Sequence, residues 1–330
     1  MTEKYGANLL SPAEAAQPVV ESTSRISKIR RLRQRLGRQT SISQVDSPNL
    51  PGDEDTSYRV AGDLDHGIAV ELDPEVLDDE IETPEVAAYK EELKRPTPKE
   101  QALLLGNIVH EEFRGGGQHY VELDNGETGL YWPNTNTNGA KYLSERAAYL
   151  VDRAWQFGLV PTTVLRFERT GYYGDKYKLS FQEYIANAID SSKIKNFEAA
   201  EQFYNDFYKL FILNYCIWNT DQHRGNVIAT DRLYAIDHQH AFWENSDRWR
   251  HSFMDVYILG ASAPKDVIAA AVFLNDKIRQ RALEEQLKEE LHYPDHIIQA
   301  CLARMIHVAK ILTTKGRIDT LEELAEYSPN

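Results

Sequence analysis

The chain of 330 residues contains only two cysteines, Cys216 and Cys301. Two cysteines cannot form the disulfide framework of a small secreted domain, and they cannot supply the ligands of a thiolate zinc site. We therefore expect a reducing, cytoplasmic setting.

Long hydrophobic runs are also missing. The longest apolar run, Val267 to Leu274, is much shorter than the roughly 20 residues of a membrane-spanning helix. The N-terminal sequence MTEKYGANLL lacks the basic region followed by an apolar stretch that marks a secretory signal. We expect neither a membrane span nor a secretory signal.

Positive charge is scarce. The chain has 37 Lys or Arg against 51 Asp or Glu, so its net charge is −14. General nucleic-acid binders carry a basic surface, and we therefore expect no nucleic-acid partner. A hydrophobic content of 42% with 10% aromatics is that of a globular protein.

Much of the acidity lies near the N-terminus, where residues 51–95 hold 15 Asp or Glu against 4 Lys or Arg. Such a segment buries too little apolar surface to offset its ordering entropy. Upstream, residues 25–38 hold seven basic side chains, with apolar residues at helical spacing. That segment is a candidate membrane-surface or partner-binding helix, or a solvated helix docked on the acidic stretch. We predict that residues 1–98 form a mostly disordered leader.

The next part of the chain has the pattern of a small antiparallel sheet. Residues 119–132 alternate around Asn125-Gly126, a dipeptide typical of a tight hairpin turn. An apolar face at helical spacing predicts a helix over 142–158, and two further strands follow, VPTTVLRFE and KYKLSFQEYIA. We assign residues 99–186 to this β-rich lobe.

Helical periodicity dominates the remainder. Phe203, Phe207, Leu210 and Phe211 recur at three- and four-residue steps, and the pattern continues from Pro264 almost to the end of the chain. We assign residues 187–330 to a helical lobe. The predicted fold class is α+β, with two lobes.

Three polar residues have a spacing that suits phosphoryl transfer. Asn226 follows Asp221 after four intervening residues, and Asp237 follows Asn226 after ten. Residues 227–229 and 233–236 read as two short strands joined by a turn, which would bring Asn226 and Asp237 to one edge. One carboxylate can then position an acceptor hydroxyl, while the Asn and the second Asp hold the magnesium ion that neutralises the phosphates.

At these residues the chain resembles the atypical kinase superfamily, which includes the phosphatidylinositol 3-/4-kinases and the HipA-like kinases. The family pattern N-x-D-x-H-x-x-N matches residues 219–226, and its I-D-H matches residues 236–238. Upstream, GETGLYWP resembles the family's strand of pattern G-x-x-G-[IV]-[FW]-K-P, and SERAAYLVDRAWQFGLVPTTV and LSFQEYIANA resemble the family's inserted helix and its hinge. The resemblance covers about residues 107–245 and implies a bilobal protein-kinase-like fold that uses ATP and Mg²⁺.

The resemblance also implies a role for each matched residue. Asp221 would be the catalytic carboxylate, and Asn226 and Asp237 would be the magnesium ligands. Glu145 would be the partner of the phosphate-binding lysine. The remaining implied nucleotide contacts are the hinge residues Glu183 and Ile185 and the glycine loop Gly115, Gly116 and Gly117.

The chain departs from the family pattern at two positions. Trp132 stands where the family has its lysine, and Gln239 stands where the metal-binding strand usually ends in glycine. Tryptophan cannot neutralise phosphate charge, although it can stack on a base. Lys141, four residues before Glu145, is the first substitute for the missing lysine, and Lys178 is the second.

Several functions fit this sequence. The first is transfer to a hydroxyl acceptor, with a protein Ser or Thr favoured over a phosphoinositide or a small molecule. The second is a nucleotide-binding pseudokinase or scaffold, because of Trp132. The third is a zinc hydrolase, because His238 and His240 would share one face of a strand, with His223 and an aspartate nearby.

Overall fold

The computed structural model of the protein describes residues 83–115, 117–132, 141–169, 176–195, 197, 201–242 and 255–325. The basic segment 25–38 and the acidic stretch up to residue 82 lie outside the described residues, and so does Gly116. The predictions for these parts of the leader remain predictions.

Two helices precede the sheet, α1 (Pro84–Lys94) and α2 (Pro98–Leu105). Both begin with a Thr-Pro pair, in which the side chain of Thr83 or Thr97 accepts a backbone N–H of the first turn. Proline fits the first helical position because its missing N–H has no partner there. Helix α1 lies within the predicted disordered leader, so the folded chain begins upstream of the predicted boundary at residue 98.

Helix α1 is held by residues that are distant in sequence. Lys90 and Lys94 place their Nζ atoms 2.5 and 2.8 Å from the carboxylate of Glu285. Arg153 donates to the carbonyl oxygen of Leu93 at 2.7 Å. The acidic composition of 51–95 gives no sign of these contacts, because their partners lie 60 to 195 residues further along the chain.

A five-stranded antiparallel sheet follows α2, in the order β1-β2-β3-β5-β4. Helix α3 (Lys141–Trp155) is inserted between β3 and β4, as predicted. Strand β1 was not predicted; it is an edge strand that is exposed along most of its length. The strands are β1 (Ile108–Gly115), β2 (Gln118–Leu123), β3 (Thr128–Tyr131), β4 (Thr163–Arg169) and β5 (Lys176–Glu183).

The two faces of the sheet have different neighbours. One face packs against Leu103 of α2, in a cluster that includes Val121, Tyr131 and Phe181. Helix α3 contacts β4 and β5 and contributes Leu150 and Val151 to the larger core of the helical part. Helix α3 thus joins the sheet to the helical part.

A second, three-stranded sheet has the order β6-β7-β8, with β6 (Ile189–Asp190), β7 (Val227–Ala229) and β8 (Leu233–Ala235). Helix α4 (Tyr204–Cys216) lies between β6 and β7 in the chain and buries Phe207, Leu210 and Phe211. The predicted hairpin of β7 and β8 is confirmed, although β8 ends one residue before Ile236.

The described chain ends in helices, as predicted from Pro264 onward. They are α5 (Asp255–Ile258), α6 (Lys265–Leu274), α7 (Lys277–Glu285), α8 (Asp295–Lys315) and α9 (Leu321–Ala325). Helix α8 is long and apolar enough to cross a membrane, but half of its apolar window is buried within the protein, as in a core helix. The α+β fold class is confirmed.

Candidate active site

The loop after α4 is shaped by its own side chains. The Asn219 side chain accepts the N–H of Asp221 at 3.1 Å, and His223 Nδ1 accepts the N–H of Gly225 at 3.0 Å. Both are local turns in which a side chain takes the place of a backbone acceptor. Asn219 and His223 of the N-x-D-x-H pattern therefore fix the backbone around Asp221.

Asp221 is accessible, and its loop is tied to the segment that follows β8. Its side chain is 46% exposed, with Oδ2 lying 3.9 Å from His240 Nε2. The neighbouring Thr220 donates both its N–H and its hydroxyl to the carbonyl oxygen of His240. The Asp221 carboxylate is thus open to an acceptor molecule while its backbone is held in place.

Asn226 lies at the edge of the hairpin, as predicted. Its carbonyl oxygen accepts the N–H of Ile236, the residue before Asp237, at 3.0 Å. Its side-chain Nδ2 donates to the carbonyl oxygen of Asp221 at 3.0 Å. This bond uses the amide nitrogen and leaves Oδ1 as the side-chain atom that can bind a cation.

Asp237 combines backbone strain with an unfavourable electrostatic setting. Its φ is +59°, a left-handed conformation that is uncommon for a residue other than glycine. Burial raises the pKa of its carboxyl, and the nearby carboxylates of Glu145 and Asp221 raise this pKa further, against the opposing effect of His238 and His240. A bound cation would relieve this repulsion.

The donor atoms of this site fit magnesium. Asp237 and Asn226 offer carboxylate and amide oxygens, and Mg²⁺ binds oxygen and takes its other ligands from water and phosphate. Within the described part of the chain, no group of three His, Cys, Asp or Glu side chains is arranged to hold a metal ion by itself. Two protein ligands plus phosphates are the pattern expected of a nucleotide-bound magnesium ion.

Glu145 contacts the segment that follows Asp237, the proposed metal ligand. Oε1 accepts the backbone N–H of His238 at 2.6 Å, and Oε2 lies 3.1 Å from His238 Nδ1. The sequence offered no signal for this contact, because the two residues are 93 positions apart.

The structure leaves the phosphate-binding cation unassigned. Lys141 is the first residue of α3 and Lys178 lies in β5 opposite Phe167, but both side chains lie outside the described atoms. Trp132 follows β3 and is 36% exposed. Both lysine substitutes remain predictions.

The glycine loop is the turn between β1 and β2. Gly115 pairs with Gln118, and both Gly115 and Gly117 have positive φ values, +90° and +81°. A Cβ built at either glycine meets no atom within 4 Å. Both glycines therefore have open space where a side chain would stand.

A cluster beside this turn was not predicted. The guanidinium of Arg114 lies 4.4 Å from the ring centroid of Tyr120 and donates to the Tyr184 hydroxyl at 3.2 Å. These three residues link β1 and β2 to the segment after β5. The alternation along β2 buries Val121 on one face and so indicates that Tyr120 lies on the other. The cluster was still not predicted, because β1, which carries Arg114, was not recognised as a strand.

The two predicted hinge residues differ in what they can offer a base. The N–H of Glu183 donates to the carbonyl oxygen of Thr162 at 2.8 Å, so only the Glu183 carbonyl remains for a nucleotide. Its side chain lies 3.1 Å from Lys99 Nζ. Ile185 follows in an irregular segment beyond the end of β5.

The three histidines do not form the arrangement expected of a zinc hydrolase. Strand β8 ends at Ala235, so His238 and His240 do not alternate along a strand. His238 is fully buried against Glu145, whereas His223 is exposed and shapes its own turn. The shared face that motivated the zinc alternative is therefore absent from the described chain.

No family model matches the chain, and no curated protein does. Two solved structures of the golgi casein kinase are similar to it. One has a TM-score of 0.42 at 14% identity and covers 67% of this chain and 78% of that one. The other, with Mn/ADP bound, has a TM-score of 0.42 at 15% identity and covers 64% and 73%. Nothing in these comparisons supports the finer resemblance to phosphatidylinositol 3-/4-kinases or HipA-like kinases.

Proposed function

We propose that the protein is a kinase that transfers the γ-phosphoryl group of ATP to a hydroxyl in a reaction that depends on Mg²⁺. The observation that carries this proposal is the convergence of Asp221, Asn226 and Asp237 on one loop and hairpin edge. Asn226 bonds to the backbone of Asp221, and the pKa of Asp237 is raised partly by the Asp221 carboxylate. The three side chains therefore belong to one site.

Each residue has a distinct role in this proposal. The half-exposed carboxylate of Asp221 positions the acceptor hydroxyl and accepts its proton as the phosphoryl group is transferred. Asn226 Oδ1 and the Asp237 carboxylate would hold the metal, which would supply positive charge for the phosphates. The glycine turn between β1 and β2 would cover the phosphates, because glycine allows backbone N–H groups to come close.

We favour a protein Ser or Thr as the acceptor. A kinase for phosphorylated inositol headgroups needs a basic segment to bind them, and the stretch after Asp237 offers only Arg248 and Arg250, both outside the described residues. A lipid or small-molecule hydroxyl is the alternative acceptor, and the basic segment 25–38 would suit a membrane surface. The cytoplasmic setting and the lack of a nucleic-acid partner remain predictions.

One observation favours a second function, nucleotide binding without transfer. Glu145, the expected partner of the phosphate-binding lysine, has both oxygens engaged by His238. Trp132 stands at the lysine position. A pseudokinase would retain the metal site and lose the cationic support of the phosphates.

Transfer measured with wild type and Asp221→Asn distinguishes these functions. The assay follows ³²P from γ-labelled ATP into protein or water at saturating Mg²⁺, with Asp231→Asn as control, because Asp231 lies exposed in the β7–β8 turn. The kinase proposal predicts that wild type and the control transfer equally, and that Asp221→Asn binds ATP normally but loses about 10²-fold or more in rate. Equal inactivity of all three proteins with ATP bound would establish the pseudokinase.

A further inference from the structure

Three consecutive residues of α3 make very different contacts. Ser144 Oγ donates to the carbonyl oxygen of Ala241 at 3.3 Å. Glu145 accepts the N–H of His238. Arg146 points away from both, toward other elements. Two successive side chains of α3 thus hold the chain directly after Asp237, and the third anchors the helix.

The anchor at Arg146 is buried and connects three elements. The guanidinium is 5% exposed and reaches Glu100 of α2 at 2.6 Å, Glu290 at 2.8 Å and the carbonyl oxygen of Thr163 at 2.7 Å. Arg153, two turns later on α3, also reaches Glu100, at 3.1 Å. Helix α3 is therefore fixed against α2, β4 and the π-helical segment Gln286–Glu290 that follows α7.

The contact between Glu145 and His238 is, with the Ser144 hydrogen bond to Ala241, a polar link between this fixed helix and the segment after Asp237, and it is the one adjacent to Asp237. His238 is fully buried, and within the described chain its Nε2 has no hydrogen-bond partner. The ring is therefore held through Nδ1 by Glu145 Oε2. The backbone of the same residue is held by Oε1, directly after the left-handed conformation at Asp237.

We propose that Glu145 is a positioning residue for Asp237. By accepting the His238 N–H, it keeps the left-handed turn in the geometry that directs the Asp237 carboxylate at the metal. This inference rests on the proposed function, and it assigns to Glu145 a role other than pairing with a phosphate-binding lysine.

Glu145 could instead pair with a lysine or bind the metal directly, and these two rival roles need a different property of its side chain than positioning does. A lysine partner or a direct metal ligand needs the negative charge. A positioning residue needs an acceptor oxygen for the N–H and a polar atom beside Nδ1. Glutamine has both, through its amide oxygen and its amide nitrogen, and has no charge. Glu145→Gln therefore separates positioning from the charged roles.

The experiment measures the affinity of the full chain for Mn²⁺·ADP and for metal-free ADP by calorimetry. The variants are Glu145→Gln, Glu145→Ala and the control Glu289→Ala, which changes a largely exposed residue of the π-helical segment after α7. We expect wild-type affinities for the control, and for Glu145→Gln a loss of Mn²⁺·ADP affinity no larger than about threefold. Glu145→Ala should lose about 10- to 100-fold for Mn²⁺·ADP, as other residues that orient metal ligands do, and keep its affinity for metal-free ADP.

Two results would overturn the inference. A Glu145→Gln variant as weak as Glu145→Ala would show that charge is required. A parallel loss of metal-free ADP affinity in Glu145→Ala would indicate a lysine partner. If Glu145→Ala does not fold, the Glu145→Gln result decides alone, since near wild-type binding supports positioning and tenfold weaker binding contradicts it.

A failure of the proposed function would give a different result from a failure of the Glu145 inference. A folded wild-type protein that does not bind Mn²⁺·ADP contradicts the kinase proposal. Amide hydrogen exchange of His238 in the metal-free protein then still tests Glu145. Protection in wild type and Glu145→Gln that is lost in Glu145→Ala supports its hold on the loop, and equal protection in all three overturns it.

Discussion

The two ends of the candidate site are built differently. At the metal end, the segment after β8 is hydrogen-bonded to α3 through Glu145 and to the Asp221 loop through Thr220. At the phosphate end, the turn through Gly115 and Gly117 is surrounded by open space on its outer side. The proposed metal end is therefore braced by hydrogen bonds within the protein, whereas a Cβ at Gly115 or Gly117 of the proposed phosphate end would meet no protein atom within 4 Å. Changes at the metal end should therefore cost more.

The largest effect is expected for Asp237→Ala, which removes a carboxylate from the metal. Electrostatic stabilisation is the main source of rate enhancement in phosphoryl transfer, so we expect a loss of about 10³-fold or more in transfer rate. The ³²P assay measures it, with Asp231→Ala as a matched change in the same hairpin. Activity within tenfold of wild type would exclude Asp237 as a metal ligand.

The next largest effect is expected on stability, from Arg146→Ala. This variant leaves Glu100 buried with only part of its cationic support, and breaking a buried ion pair costs about 3–5 kcal/mol of unfolding free energy. Urea unfolding measures the change. Lys288→Ala, which removes an exposed ion pair with Asp295, should leave the unfolding free energy almost unchanged. Similar costs for the two variants would contradict an anchored α3.

A third prediction concerns the pH dependence of stability. Burial raises the pKa of Asp152, on α3, from its usual value to about 7. Between pH 4 and pH 7 the folded protein holds a proton that the unfolded chain releases, so this group makes stability fall as pH rises. Asp152→Asn removes this loss of stability with rising pH. The unfolding free energy of the variant minus that of wild type should therefore be larger at pH 8 than at pH 4, by on the order of 3 kcal/mol.

Denaturant unfolding at both pH values tests the Asp152 prediction. The exposed Asp231→Asn serves as control, because a hydrogen bond from the Thr230 hydroxyl lowers the pKa of the Asp231 carboxyl. This control should show no such increase. An Asp152→Asn difference that does not change with pH would mean that the carboxyl titrates normally.

The smallest effect is expected at the phosphate end. Gly117→Ala places a side chain on a residue with φ +81°, at a cost of about 1–2 kcal/mol, but it creates no clash. We expect a modest loss of stability and a severalfold weaker affinity for ATP, measured by calorimetry. A loss as large as that of Asp237→Ala would show that the glycine turn is as preorganised as the metal end.

Local patterns in the sequence were sufficient to predict some features. The β7–β8 hairpin and the placing of Asn226 and Asp237 at its edge followed from strand alternation and spacing. The contact of Glu145 with His238 did not, because no local pattern encodes a bond across 93 residues. Helix α1 was hidden by its acidic surroundings, since its stability depends on Glu285 and Arg153.

Binding of Mg·ATP to wild type, Asp237→Ala and Asp231→Ala by calorimetry tests the central claim most directly. The claim is that a nucleotide-bound magnesium ion sits on the hairpin edge beside Asp221. We predict that wild type and Asp231→Ala bind ATP in a manner that requires Mg²⁺, and that Asp237→Ala, shown to be folded, loses this requirement together with most of its affinity. Binding that is indifferent to Mg²⁺ or to Asp237, or no binding by the folded wild type, would contradict the account.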